Sequence, residues 1–116
     1  MSPTKNPKRG EVWLADLDST RGREQQGARP CLVVSADEIN ESRAGLVTII
    51  PFTTTRRGIP SHVDVDAPEG GLDRPSAAMC EQIRTITKSR LVGSFGRLTE
   101  GTTAEEAETV RCVLGL

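Results

Sequence analysis

The sequence is poor in most of what enzymes use for chemistry. It has one histidine, His62, in 116 residues, so a mechanism that passes protons between two histidines is excluded. Its three cysteines, Cys31, Cys80 and Cys112, are widely spaced and form no Cys-x-x-Cys pair. With a single histidine to complete a set, a zinc site lacks ligands, and no convergent group of carboxylates suggests a two-metal centre. No metal and no cofactor is expected. An odd cysteine count points to a reducing compartment, and apolar neighbours suggest that all three are small buried thiols. Trp13, Phe52 and Phe95 are the only aromatic residues. They supply little stacking surface, which counts against a generic barrel that binds single strands by stacking. No apolar run approaches a membrane span, and the opening MSPTKNPKRG lacks the apolar core of a signal peptide. A cytoplasmic chain without a membrane partner is expected. The net charge is only −1, so a surface for nucleic acid must be a local concentration of cations. Lys5, Lys8 and Lys88 are the only lysines; the remaining cations are arginines, whose planar fork suits phosphate oxygens.

What is present reads as short strands followed by one helix. The length suits a single domain over 1–116, with residues 1–8 frayed. Residues 10–16 alternate in polarity as a strand does. Residues 30–35 form an apolar run expected of a strand buried on both faces, and 46–53 is a third such segment. Pro51 inside it cannot donate to a ladder and marks a bulge or strand edge. Val63 and Val65 make 62–66 half-buried, with His62 at a surface position; 76–87 and 91–98 complete the strands. Thr103-Ala104-Glu105-Glu106 has the form of a capping box, followed by Ala104, Ala107, Val110, Val113 and Leu114 at helical spacing. The fold class expected is mainly β with a C-terminal helix, curled into a small barrel. A core this small and aliphatic favours a homodimer.

Three segments carry residues fit for chemistry on phosphates. The long loop 17–28 places Arg21, Arg23, Glu24 and Gln25 ahead of Arg29, which adjoins Pro30 and opens a strand. Thr53, Thr54 and Arg56 close another strand with hydroxyls and a guanidinium. Glu81, Gln82 and Arg84 add groups able to meet base edges. On composition alone a solvated loop accounts better for 17–28 and the polar half of an exposed strand for 80–85, while β-favouring threonines before a basic turn account equally well for 51–57.

Taken in order, these segments resemble the MazF/PemK toxin family. The resemblance rests on Arg9-Gly10-Glu11-Val12-Trp13, Asp16-Leu17-Asp18 and Gly22-Arg23-Glu24-Gln25-Gln26-Gly27-Ala28-Arg29-Pro30. It continues through Gly71-Leu72-Asp73-Arg74-Pro75-Ser76 and Glu81-Gln82-Ile83-Arg84-Thr85-Ile86, and so spans roughly residues 9–114. It implies an SH3-like barrel of the CcdB/MazF type, a homodimer, cleavage of single-stranded RNA at short motifs, and neutralisation by a cognate antitoxin. By the same resemblance the essential pair falls on Arg29 and Thr53, the motif acid on Glu24, and an RNA-holding glutamine on Gln82. Arg23 stands where the family has serine, and Ser19 where a proline is usual. Glu24 is the candidate base, with a polarised water as the alternative. Arg21, Arg23, Gln25, Thr54, Arg56, Gln82 and Arg84 are the candidate RNA contacts. The rival reading is a non-catalytic CcdB-like gyrase poison, which shares the barrel and does not require the Arg29/Thr53 pair.

Overall fold

A computed structural model describes residues 6–17 and 27–116. Its strands are β1 (Glu11–Asp16), β2 (Ala28–Val33), β3 (Leu46–Thr53), β4 (His62–Val65), β5 (Ser76–Met79), β6 (Arg84–Thr87) and β7 (Leu91–Arg97). Two helices, α1 (Asp37–Asn40) and α2 (Glu100–Leu114), lie between and after them. The strands form one antiparallel sheet in the order β4-β5-β3-β2-β1-β7, with β6 also on β3.

Pro51 falls where β3 changes partner. Leu46–Ile49 pair with β6, and Phe52 and Thr53 pair with β5. A residue without an N–H sits between the two ladders at no cost to either. The segment 76–87, expected to be strand throughout, is accordingly split. A 3-10 turn at Cys80–Gln82 separates β5 from β6, because the two pair with different halves of β3.

The sheet rolls up. Val63 and Val65 of β4 share a core with Val12 of β1 and with Leu98, although three strands separate β4 from β1 in the sheet. Two register shifts between β1 and β7 sharpen the twist at that end. The Glu69–Gly71 turn then lies directly on β7. A Cβ on Gly71 would fall 2.3 Å from the Phe95 carbonyl oxygen, so only glycine fits. The Glu69 carboxylate accepts hydrogen bonds from the Thr99 N–H at 2.9 Å and from its hydroxyl at 3.1 Å. β4 and β7 remain unpaired with each other, and the result is an open, barrel-like sheet.

Alternation along the strands gives a second buried cluster on the other face. It holds Ala15, Cys31, Val33, Val47, Ile49, Ile86 and Leu91, with Trp13 and Leu17 packed against it. Leu32 and Ile50 point into the first cluster, which confirms β2 as a strand buried on both sides. Each fully buried aliphatic residue contributes on the order of 2 kcal/mol.

Several expectations fail in detail. Helix α2 begins four residues early, with Thr99 as N-cap accepting from the Thr102 N–H at 3.2 Å. Glu106 is not a capping acid: it is 3% exposed. The helix turns Thr103, Glu106, Ala107 and Val110 inward and leaves Ala104, Val113 and Leu114 exposed. Cys31 and Cys80 are buried, but Cys112 is exposed. Within the N-terminal stretch expected to fray, Pro7 is buried. Its carbonyl accepts a 3.1 Å hydrogen bond from Asn40 Nδ2. Asn40 is itself 0% exposed. It also donates to the Ser35 carbonyl at 3.1 Å and accepts from the Ser35 hydroxyl.

Candidate active site

The sheet brings Arg29 and Thr53 together. The β2–β3 register runs Val33↔Ile49, Leu32↔Ile50, Cys31↔Pro51. Continued by two residues, it sets Arg29 opposite Thr53, with both side chains on one face. That face is the one carrying Cys31, Val33 and Ile49, so the pair stands at the polar end of a buried apolar floor. Arg29, Pro30, Phe52, Thr53 and Thr54 line a shallow cleft of about 220 Å³. The Arg29 guanidinium has no partner among the described residues, which leaves its fork of donors available. Gly27, with φ at +96°, feeds the chain into β2 just before Arg29; a side chain there would strain the approach. The Thr53 hydroxyl accepts from the Thr55 N–H at 3.1 Å. Its own proton therefore remains free to donate.

Arg84 belongs to the same surface. It pairs with Ile49 across β6 and β3, on the face shared with Arg29. The two cations converge on Cys31. Burial pushes that thiol up to about 12, and the charges of Arg29 and Arg84 pull in the opposite direction. The thiol is thus an inert floor beneath the cations. Gln82 is exposed at the end of the Cys80–Gln82 turn, separated from β6 by Ile83 alone.

Arg56 does not join this group. Its Nε donates to the Ser76 carbonyl at 3.1 Å, and one terminal nitrogen donates to the Val65 carbonyl at 2.9 Å and to Asp66 at 2.7 Å. The other terminal nitrogen lies 3.9 Å from Asp64. Arg56 is a clamp on the β4–β5 hairpin, which it holds at the end joined by residues 66–75. Sequence alone could not show that two aspartates and two carbonyls would claim it. Arg21, Arg23, Glu24 and Gln25 lie outside the described residues.

His62, expected at the surface, has a side chain only 3% exposed, with Nε2 3.3 Å from Glu81 Oε2. Pro30 and Phe52 are lining residues that sequence reasoning did not single out; each adjoins one that it did. A larger cavity, about 310 Å³, opens between Arg9, Arg97 and the first turn of α2. It contains none of the expected site residues. Among the described residues no group of His, Cys, Asp or Glu could hold a metal ion.

A cation and a hydroxyl line an open cleft over an apolar floor, beside a second cation, an arrangement chemically able to receive an anion. The family model for the PemK-like, MazF-like toxin of type II toxin–antitoxin systems matches residues 8–114, and the chain belongs to that family. It is 37% identical over 110 residues to the endoribonuclease EndoA of Bacillus subtilis, covering 94% of this chain and 95% of that one. Among solved structures it resembles the Mycobacterium tuberculosis toxin MazF-mt6, with 31% identity and a TM-score of 0.76 over 91% of this chain and 97% of that one. It also resembles a mycobacterial endoribonuclease in complex with its cognate antitoxin, with 26% identity, a TM-score of 0.78 and 97% coverage of both chains.

Proposed function

We propose that this protein is a toxin endoribonuclease that cuts single-stranded RNA at short sequence motifs without a metal. The observation that carries the reading is the placement of Arg29 opposite Thr53 in an open cleft. The similarity to proteins named endoribonucleases supports the same activity. The nucleophile is the 2′-OH next to the scissile phosphate. It is already tethered to the reacting centre, which is worth several kcal/mol of barrier. Glu24 takes its proton. Arg29 stabilises the negative charge that gathers on the phosphoryl oxygens in the transition state, and the Thr53 hydroxyl donates to one of them. The 5′ oxygen leaves and is protonated. The products carry a 2′,3′-cyclic phosphate and a 5′-OH. Thr54, Gln82 and Arg84, with Arg21, Arg23 and Gln25 from the β1–β2 loop, hold the strand and read its bases.

The working form is a cytoplasmic homodimer, and a cognate antitoxin switches it off. An acidic antitoxin segment suits a surface of arginines that also attracts phosphates. The test is cleavage of a long single-stranded RNA in EDTA, with the 5′ ends of the fragments sequenced. An oligonucleotide with one 2′-deoxy sugar at the cut site is expected to bind and stay whole. Cutting of that oligonucleotide, or an absolute need for a divalent ion, refutes the mechanism. Absence of any cleavage favours the gyrase-poison alternative.

A further inference from the structure

His62 is the chain's only histidine, and it is held at a cost. Its side chain is 3% exposed, yet Nδ1 is buried without a hydrogen-bond partner. A buried polar atom left unpaired is destabilising, because it has given up its hydrogen bonds to water for none in the fold. An aliphatic residue at this position would avoid that cost. The other ring nitrogen, Nε2, meets Glu81 Oε2 at 3.3 Å. Stability alone does not explain a histidine here, whereas a requirement for that contact does.

Glu81 is the middle residue of the Cys80–Gln82 turn. The turn is anchored to the start of β4 by the Cys80 N–H, which donates to the Ser61 carbonyl at 3.0 Å, and by the His62↔Met79 register. Burial would raise the Glu81 carboxyl, but hydrogen bonds from its own N–H, Ser61 and His62 outweigh this and hold it below the usual carboxylate range. The carboxylate has the imidazole of His62 as its side-chain anchor. Immediately after it come exposed Gln82 and then Arg84 at the head of β6. The turn also sets how far β6 is displaced from β5 along β3, and so where both residues stand relative to Thr53.

We infer that His62 and Glu81 are positioning residues for RNA: their contact fixes the turn that presents Gln82 and Arg84 to the substrate. The inference rests on the endoribonuclease reading above. It makes the pair a determinant of substrate affinity rather than of the chemical step.

The experiment compares His62→Leu, Glu81→Ala and Glu81→Gln in a fluorogenic RNA cleavage assay. Binding of a fluorescent, uncleavable 2′-deoxy oligonucleotide and thermal melting are measured in parallel. His62→Leu and Glu81→Ala are expected to raise KM and Kd about tenfold with kcat within twofold of the parent. His62→Leu should melt no lower than the parent, since the orphan nitrogen is gone. Glu81→Gln keeps an acceptor for the imidazole N–H and should restore near-parental KM. A His62→Leu protein with lower Tm and unchanged KM and Kd shows a merely structural histidine and overturns the inference. So does unchanged affinity in Glu81→Ala, an exposed change that leaves the core intact. If the parent neither binds nor cuts RNA, both the inference and the endoribonuclease reading fall. If the parent cuts and the variants bind as tightly, only the inference falls.

Discussion

Replacing Arg56 by alanine separates a clamp from an RNA contact. The side chain satisfies the Ser76 and Val65 carbonyls at 3.1 and 2.9 Å and meets Asp66 at 2.7 Å. The aspartate contact contributes little, because the Asp66 side chain is 83% exposed and water replaces the pairing. The two carbonyls matter more. Arg56 is half-buried over them, and a charged donor to a carbonyl contributes about 1.5–3 kcal/mol. Partial access of water after truncation reduces the total to about 2 kcal/mol. For a domain of this size that corresponds to a fall in Tm of about 6–12 °C. Arg56→Lys should lie between, since an ammonium cannot fork to both carbonyls. The assay is melting by circular dichroism together with cleavage and RNA binding at 20 °C, well below either transition. The expected result is a lower Tm with RNA affinity within about threefold of the parent. An unchanged Tm with affinity lowered tenfold or more refutes the clamp and returns Arg56 to the RNA-facing set.

Arg29→Ala and Thr53→Ala should each lower kcat by at least about 100-fold, as loss of one transition-state donor does, with the far-ultraviolet spectrum unchanged; near-parental cutting by either folded variant disproves the site. Asn40→Ala leaves the Pro7 and Ser35 carbonyls without their amide donor and should cost about 3 kcal/mol in urea unfolding, whereas a cost under about 1 kcal/mol shows that water fills the gap. Burial raises the Glu106 carboxyl, with Arg9 opposing. The folded state therefore holds this proton more tightly than the unfolded chain, and its contribution to stability declines as pH rises from the ordinary carboxylate pKa through the raised one. Glu106→Gln should accordingly melt higher than the parent at pH 7 and at the same temperature near pH 3, and the reverse ordering contradicts it.

The fold was legible where one physical rule dominated. Alternation and β-branched runs located β1, β2, β3 and β7, because a strand with a buried face cannot hide its period. Motif order singled out Arg29 and Thr53, and the structure places both on the lining of one cleft, where the β2–β3 register, continued by two residues, sets them opposite each other. Reading failed where tertiary partners decided. Thr99 caps α2 with Thr102 in place of the usual acid, so the capping signature pointed to the next threonine along, at 103. Glu106 reads as the acid of that capping box and is instead buried, where the charge of Arg9 opposes the effect of burial on its carboxyl. His62 and Arg56 looked solvated, and their partners, Glu81 in one case and Asp66 with two carbonyls in the other, lie 9–20 residues away in sequence. Such long-range pairings leave no periodic trace.

The pairing of β1 with β7 has a consequence for how the toxin comes into being. Glu11 lies opposite Arg97, so the first strand waits for almost the whole chain to be translated before it gains its second neighbour. β1, β2 and β3 can pair on the ribosome, and with them Arg29 reaches Thr53. The core that holds Val12 is completed only when Leu98 emerges to join it. Pairings this distant in sequence form slowly. A nascent chain therefore exposes an unpaired strand edge and an incomplete apolar core while Arg29 and Thr53, the pair proposed for catalysis, are already brought together. In that interval a partner able to cover the edge meets the toxin before it is sealed.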